Sequence, residues 1–255
     1  FTINLAIIFS FIDACVVASV GGLNPDLFFI ITYLFLNIET SSHNCSVSIS
    51  SCGKIISTEE KIFEEYSHSK FLHVHIERLF KKTNLKPSEL SAVSVSQGPG
   101  SYTGLRIGIS AAKGFCFALN IPMISLDTMR ILAESVSDKN CYIISAMDAR
   151  RDEIYFSVFK ASKKETIRIK QTDIMILNST SFSDFLNNSK TYFVGNCNEK
   201  IKKYISSDNA IYSPLTLPSS KHMAVLSYQK YINSNFVDIS NFSANYIKDF
   251  SGKKI

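Results

Sequence analysis

Five of the ten glycines fall between Gly98 and Gly114, most of them in the run Gln97-Gly98-Pro99-Gly100-Ser101-Tyr102-Thr103-Gly104-Leu105-Arg106-Ile107-Gly108. No other stretch constrains the fold as tightly. It follows a predicted strand, Ala92 to Ser96, and enters a predicted helix that begins near Gly104 and ends at about Leu119. Glycine reaches positive φ and admits a close second backbone, so Gly98-Pro99-Gly100 reads as a tight turn. Ser101 or Thr103 is placed to cap the helix. Strand, loop and helix N-terminus together form a potential anion site, because free N–H groups and the helix dipole point outward. Two nucleotide fingerprints fit poorly. The spacing is one residue too long for GxGxxG, Pro99 interrupts it, and no Lys-Ser/Thr follows as a P-loop requires.

The elements around the run limit the topology further. Leu34, Leu36 and Ile38 alternate in a strand that ends at Glu39-Thr40-Ser41-Ser42, and Cys45 to Ser50 forms a second. Ser51-Cys52-Gly53-Lys54 reads as a hairpin turn into a third strand through Ile55 and Ile56. A helix spans about Ser69 to Lys82, with Leu72, Ile76, Leu79 and Phe80 on one stripe. A strand from Pro122 to Leu126 completes the order β-β-β-α-β-α-β. That order implies a mixed sheet flanked by helices, as in the ribonuclease-H-like lobe of actin-like and sugar-kinase-like ATPases.

A second unit begins near Ser137. Strands are expected at Cys141–Ala146, Ile154–Phe159 and Thr191–Val194, with a Lys-rich connection through Lys160, Lys163 and Lys164. A helix is expected near Ser181–Leu186 and a long one from about Ser219 to Ile232. Lys221, His222, Gln229 and Lys230 suggest a solvated face on the latter. No internal repeat is visible. The expected division is 33–136 with 219–250 as a first lobe, and 137–218 as a smaller second lobe.

Composition excludes several classes. With 45% hydrophobic and 19% charged residues, the chain is neither disordered nor a disulfide miniprotein. Residues 1–32 stand apart, with 21 apolar residues, no Lys or Arg, and only Asp13 and Asp26 as charges. Asp13 argues against a membrane span and the missing basic residues against a secretory signal. The expectation is an extension foreign to the native protein, with the natural start near Tyr33. The six cysteines show no CxxC and read as core residues of a cytoplasmic protein.

Candidate chemistry is sparse. Glu39, Thr40, Ser41 and Ser42 place an acid and three hydroxyls in the first hairpin turn, as a weak phosphate loop would. Gly104, Gly108 and Ala112 recur at i, i+4 and i+8. Such a small-residue stripe serves either the chain's own sheet or a partner helix. His68, His73 and His75 lack the i, i+4 spacing of a zinc pair, since Leu72 stands four residues after His68. Asp148-Ala149-Arg150-Arg151-Asp152-Glu153 reads as a solvated hairpin with local ion pairs. No nucleophile–base or paired-carboxylate constellation stands out.

Together these segments resemble the TsaB family, also called YeaZ. The resemblance runs through Leu36 to Ile49, His68-Ser69 with Leu72, Gln97–Gly108, Ala112-Lys113-Gly114, Asp148-Ala149-Arg150-Arg151 with Glu153 and Tyr155, and Tyr246-Ile247-Lys248. It covers about Leu34 to Phe250. The glycine-rich loop, from Gly98, Pro99 and Gly100 through Ser101, Tyr102, Thr103 and Gly104 to Arg106, is its most specific part. The resemblance implies an α/β protein of two ribonuclease-H-like lobes in the actin-like ATPase superfamily. It also implies a non-catalytic scaffold subunit in synthesis of tRNA threonylcarbamoyladenosine, with neither metal nor cofactor. The implied partners are a TsaD-like paralogue and a TsaE-like P-loop ATPase, with tRNA a candidate partner through the complex; homodimer and heterodimer both stay open for the isolated chain. The interface implied is the helix pair bearing His68, Leu72, Ile76, Leu79, Gly104, Leu105, Gly108 and Ala112. A glycoprotease-like metallopeptidase and a stand-alone nucleotide-binding ATPase are the alternatives. Two departures are Glu39 in place of the Asp of active ATPases, and Ala244-Asn245 where the family often carries Pro.

Overall fold

The computed structural model describes residues 32–247 apart from 65, 66 and 188. The apolar extension expected over 1–32 therefore lies, but for its last residue, outside the described residues. No helix among the described residues is long and apolar enough to cross a membrane.

The first sheet contains β1 (Leu34–Glu39), β2 (Asn44–Ser51), β3 (Lys54–Ile62), β4 (Ala92–Gly98) and β5 (Met123–Asp127), in the order β3-β2-β1-β4-β5. β1, β2 and β3 run antiparallel in sequence, whereas β4 and β5 lie parallel to β1. The helices are α1 (His68–Thr83), α2 (Tyr102–Leu119) and α3 (Thr128–Ala133). The second sheet contains β6 (Cys141–Asp148), β7 (Glu153–Ala161), β8 (Thr166–Ile176), β9 (Thr191–Val194) and β10 (Ala210–Tyr212), with α4 (Ser183–Leu186) and α5 (Asn198–Lys202) between strands. Its order is β8-β7-β6-β9-β10. Numbered from its own first strand, this is again 3-2-1-4-5. The two lobes thus repeat one ribonuclease-H-like topology that the sequence does not display as a repeat.

Local chemistry explains the turns. The β2–β3 hairpin closes on Cys52 and Gly53, at φ 46° and 84°, the twin left-handed residues that a two-residue turn needs. Asn84 and Asn120 end α1 and α2 in the same conformation, at φ 53° and 52°.

β2 shows how alternation assigns faces. Cys45, Val47 and Ile49 enter one core with Leu72, Ile76 and Leu79 of α1 and with Ile109, Ala112 and Cys116 of α2. Ser46, Ser48 and Ser50 face the other way, where small hydroxyls admit a close segment. There Ser46 Oγ lies 2.8 Å from Ser220 Oγ, and Asn37 Nδ2 donates to Ser50 Oγ at 2.9 Å. Ser227 of α6 (Ala224–Ile232) donates to Asn37 Oδ1 at 2.7 Å, fastening α6 to the first lobe.

Three expectations need correction, and one strand, β8, was not expected at all. The Lys-rich connection leads into an edge strand, β8, whose alternation is inverted. Its Ile167, Ile169 and Ile176 are exposed, while Arg168 and Lys170 reach over Phe159 and Phe156 at 4.9 and 4.7 Å. The long helix from Ser219 is a 3₁₀ turn over Ser220–His222 followed by the nine residues of α6. Its Lys230 is not simply solvated, because Nζ donates to the Ser125 carbonyl at 2.7 Å. Cys45, Cys116, Cys141 and Cys197 are buried thiols in the cores, whereas Cys52, in the β2–β3 turn, is disulfide-bonded and not a core residue.

Candidate functional site

The turn after β1 is the place where a ribonuclease-H-like ATPase would meet phosphate, and here it is closed. Glu39, Thr40, Ser41 and Ser42 are all buried, none more than 4% exposed. The glycine loop lies directly on them, with Ser101 N donating to the Ser41 carbonyl at 2.7 Å. Gly98, at φ 108°, bends the chain into this position and forms a cis bond to Pro99. A Cβ at Gly104 would sit 2.2 Å from the Thr40 carbonyl, and one at Gly108 2.2 Å from Thr40 Oγ1. These glycines therefore let a helix start rest on a hairpin turn. The C-terminal tail adds a further layer, as Asn245 N donates to the Gln97 carbonyl at 2.8 Å. Tyr246 packs on Tyr102 with ring centroids 4.9 Å apart; Lys248 lies outside the described residues.

The expected anion site at the start of α2 is consequently filled by the chain itself. The N–H of Ser101 is used by Ser41, and that of Gly104 by the capping Ser101 hydroxyl at 3.2 Å. Of the two candidate caps, Ser101 takes the role and Thr103 stays exposed. Glu39 Oε1 accepts from Ser41 N at 2.6 Å. Burial pushes its carboxyl up to about 7, against the Ser41 and Ser96 hydrogen bonds that pull it down.

The histidines take structural places. His68 is 1% exposed and its Nε2 lies 2.8 Å from the Ser42 carbonyl, another contact that seals the turn. Burial holds its pKa, and that of buried His75, below the usual value. His73 points to the opposite, exposed side of α1. Among the described residues no three His, Cys, Asp or Glu side chains gather as a metal-ligand group.

The expected partner-facing stripe is a correction. Leu72, Ile76 and Leu79 of α1, and Gly104, Leu105, Gly108 and Ala112 of α2, are buried against the chain's own sheet. With His68 they form the inner face of the helix pair, so close packing on β1 explains the small residues. The surface left free is the outer face, an apolar groove of about 720 Å³ between α1 and α2. Ser69 and His73 form one wall; Ile107, Ala111, Phe115 and Ala118 form the floor and the other. Tyr102 closes one end, with the Arg106 guanidinium over its ring at 4.9 Å. Phe117 beside the groove is 85% exposed, and nothing lies within 4 Å of a Cβ added at Gly114. Sequence reading missed this outer set. Its signal was Phe115 and Phe117, apolar residues of α2 lying outside the Gly104, Gly108 and Ala112 stripe, more apolar surface than one sheet can cover.

The Asp148–Glu153 hairpin is held from outside itself. Lys200 Nζ contacts Asp148 Oδ1 at 2.6 Å and the Arg151 carbonyl at 2.7 Å, which corrects the expectation of local ion pairs. Arg150 and Arg151 sit at the tip with φ 71° and 52° and exposed side chains.

The family model for TsaD, tRNA N6-adenosine threonylcarbamoyltransferase, matches residues 63–188. The tRNA threonylcarbamoyladenosine biosynthesis protein TsaB of Buchnera aphidicola subsp. Baizongia pistaciae is 28% identical over 196 residues, which cover 75% of this chain and 87% of that protein. The TsaB of Buchnera aphidicola subsp. Acyrthosiphon pisum is 33% identical over 51% of this chain, a match that spans only 59% of that protein's length. The solved structure of YeaZ from Pseudomonas aeruginosa shares the fold, with a TM-score of 0.74 over 84% of this chain and 100% of that one, at 20% identity.

Proposed function

The chain belongs to the TsaB (YeaZ) family, and from that premise we propose that it is a non-catalytic subunit of the machinery that makes threonylcarbamoyladenosine in tRNA. Its task is to bind and support a TsaD-like paralogue, in the cytoplasm, alongside a TsaE-like P-loop ATPase. Contact with tRNA is made through the complex.

The sealed turn carries this reading. A nucleotide would need the space now filled by the glycine loop, α2 and the tail, and opening it would expose Glu39, Thr40 and Ser41 together. Loss of the phosphate pocket leaves the helix pair as the part of this lobe with unused apolar surface. Contiguous apolar surface of this kind marks a protein interface. We therefore place the paralogue on the outer groove, around Ile107, Gly114 and Phe117, and keep the inner stripe as its support. The same groove is the contact by which the free chain forms a homodimer. The metallopeptidase and stand-alone ATPase readings gain no comparable feature among the described residues, where no metal-ligand group gathers and the turn after β1 is covered.

Threonylcarbamoyl transfer to tRNA, assayed with purified paralogue and ATPase, tests the role. Transfer should depend on adding this chain, and this chain alone should transfer nothing. Full activity without it, or activity by it alone, would refute the assignment.

A further inference from the structure

A second cavity, of about 360 Å³, opens between the lobes and shares no lining residue with the helix groove. It is bounded by Gln97 and Asp127 of the first sheet, Arg130 of α3, Arg168 of β8, and Lys230 of α6 with Asn235 beyond it. Its charges do not balance. Arg168 pairs with Asp127 at 2.6 Å, and Arg130 pairs with Glu134 at 2.6 Å. The third cation, Lys230, has no carboxylate within ion-pair distance among the described residues. Its Nζ donates to the Ser125 carbonyl at 2.7 Å, which leaves two of the three ammonium protons without an acceptor among the described residues. Half-burial of an ammonium whose partner is a neutral carbonyl is costly, and burial accordingly pulls the Lys230 pKa below its usual value, with Asp127 acting the other way. The Gln97 and Asn235 side-chain amides line the same space and make no side-chain hydrogen bond among the described residues.

We infer that this interlobe cavity binds a small oxyanion, a phosphate or a carboxylate, with Lys230 as its charge partner and the Gln97 and Asn235 amides as orienting donors. The cavity is many times the volume of one water and falls in the range of small-ligand sites, so the anion can carry an attached group. A bound oxyanion would contact α6 and the end of β4 while facing Arg168 across the cleft. It would therefore brace the two lobes, and its effect would appear as a higher Tm.

Calorimetric titration and thermal melts of the full chain test this, with inorganic phosphate, acetate and AMP as separate ligands. Saturable binding of at least one is expected, accompanied by a rise in Tm and weakened by added chloride salt. Lys230→Met should weaken it at least about tenfold, the loss of one charged hydrogen bond. Asn235→Asp, at an exposed position that leaves the fold untouched, should weaken it severalfold by repulsion. Preference for phosphate over acetate, or the reverse, identifies the head group. Tighter binding of AMP than of phosphate places that group on a nucleotide. No saturable binding of any of the three, or affinities unchanged in Asn235→Asp and in folded Lys230→Met, would overturn the inference.

Discussion

Glu39 carries the residue-scale consequence of a closed phosphate turn. A carboxyl with no solvent is held near pH 7 by desolvation, against about 4.5 when unfolded. Because the folded value is raised, this group contributes most stability below pH 4.5 and loses it as pH rises toward 7. The full difference is on the order of 3 kcal/mol. Glu39→Gln keeps an acceptor for Ser41 N and removes the titration. The variant should therefore gain stability over the wild type at pH 8, and that gain should shrink at pH 5, as read from urea midpoints. The titrations of His68 and His75 are shared by both proteins and cancel in the difference. A stability gap that does not change with pH would show that Glu39 is ionised without penalty.

Glycines 108 and 114 separate the two faces of one helix. Gly108→Ala drives a methyl into Thr40, and overpacking of this kind costs about 1–3 kcal/mol. Gly114→Ala meets open space, so the helix preference of alanine should raise stability by up to about 1 kcal/mol. Chemical denaturation of the two variants checks both signs, and equal effects would mean that the faces have been misassigned.

At the scale of elements, what the sequence disclosed depended on whether its pattern agreed with the environment. β1, β2, α1 and α2 were legible because their periodicity matches the face they bury. β8 was not, because its isoleucines face solvent and its Arg168 and Lys170 turn inward over phenylalanine rings, so it reads as a charged loop. The short α3, α5 and β10, of six, five and three residues, are too brief to show a period. The site was half legible. The Gly104, Gly108 and Ala112 spacing announces close packing, but only the fold reveals that Thr40, not another protein, occupies the space.

α3 also joins the lobes, since Met129 and Leu132 pack with Ile143 and Phe159 of the second sheet. Asp127 caps α3 by accepting from Arg130 N at 3.0 Å and holds Arg168 across the cleft. Asp127→Ala loses both interactions and should cost about 2–3 kcal/mol, of which the cap is about 1. Asp127→Asn retains a capping acceptor and should cost less. Urea denaturation orders the two, and equal losses would show that the ion pair contributes nothing.

Seen as a whole molecule, the protein is two copies of one topology in which the first lobe has closed its phosphate turn and kept an apolar groove along the outer side of α2. That combination is what the proposal of a binding subunit rests on. The affinity for the TsaD-like paralogue, measured with the wild type, Phe117→Asp and Gly114→Glu, tests this most directly. Wild-type binding should fall at least about 30-fold in Phe117→Asp, the loss expected for an aromatic anchor. Gly114→Glu should weaken binding comparably while the folded stability of both variants is preserved. Undiminished affinity in both would contradict the outer groove as the partner surface.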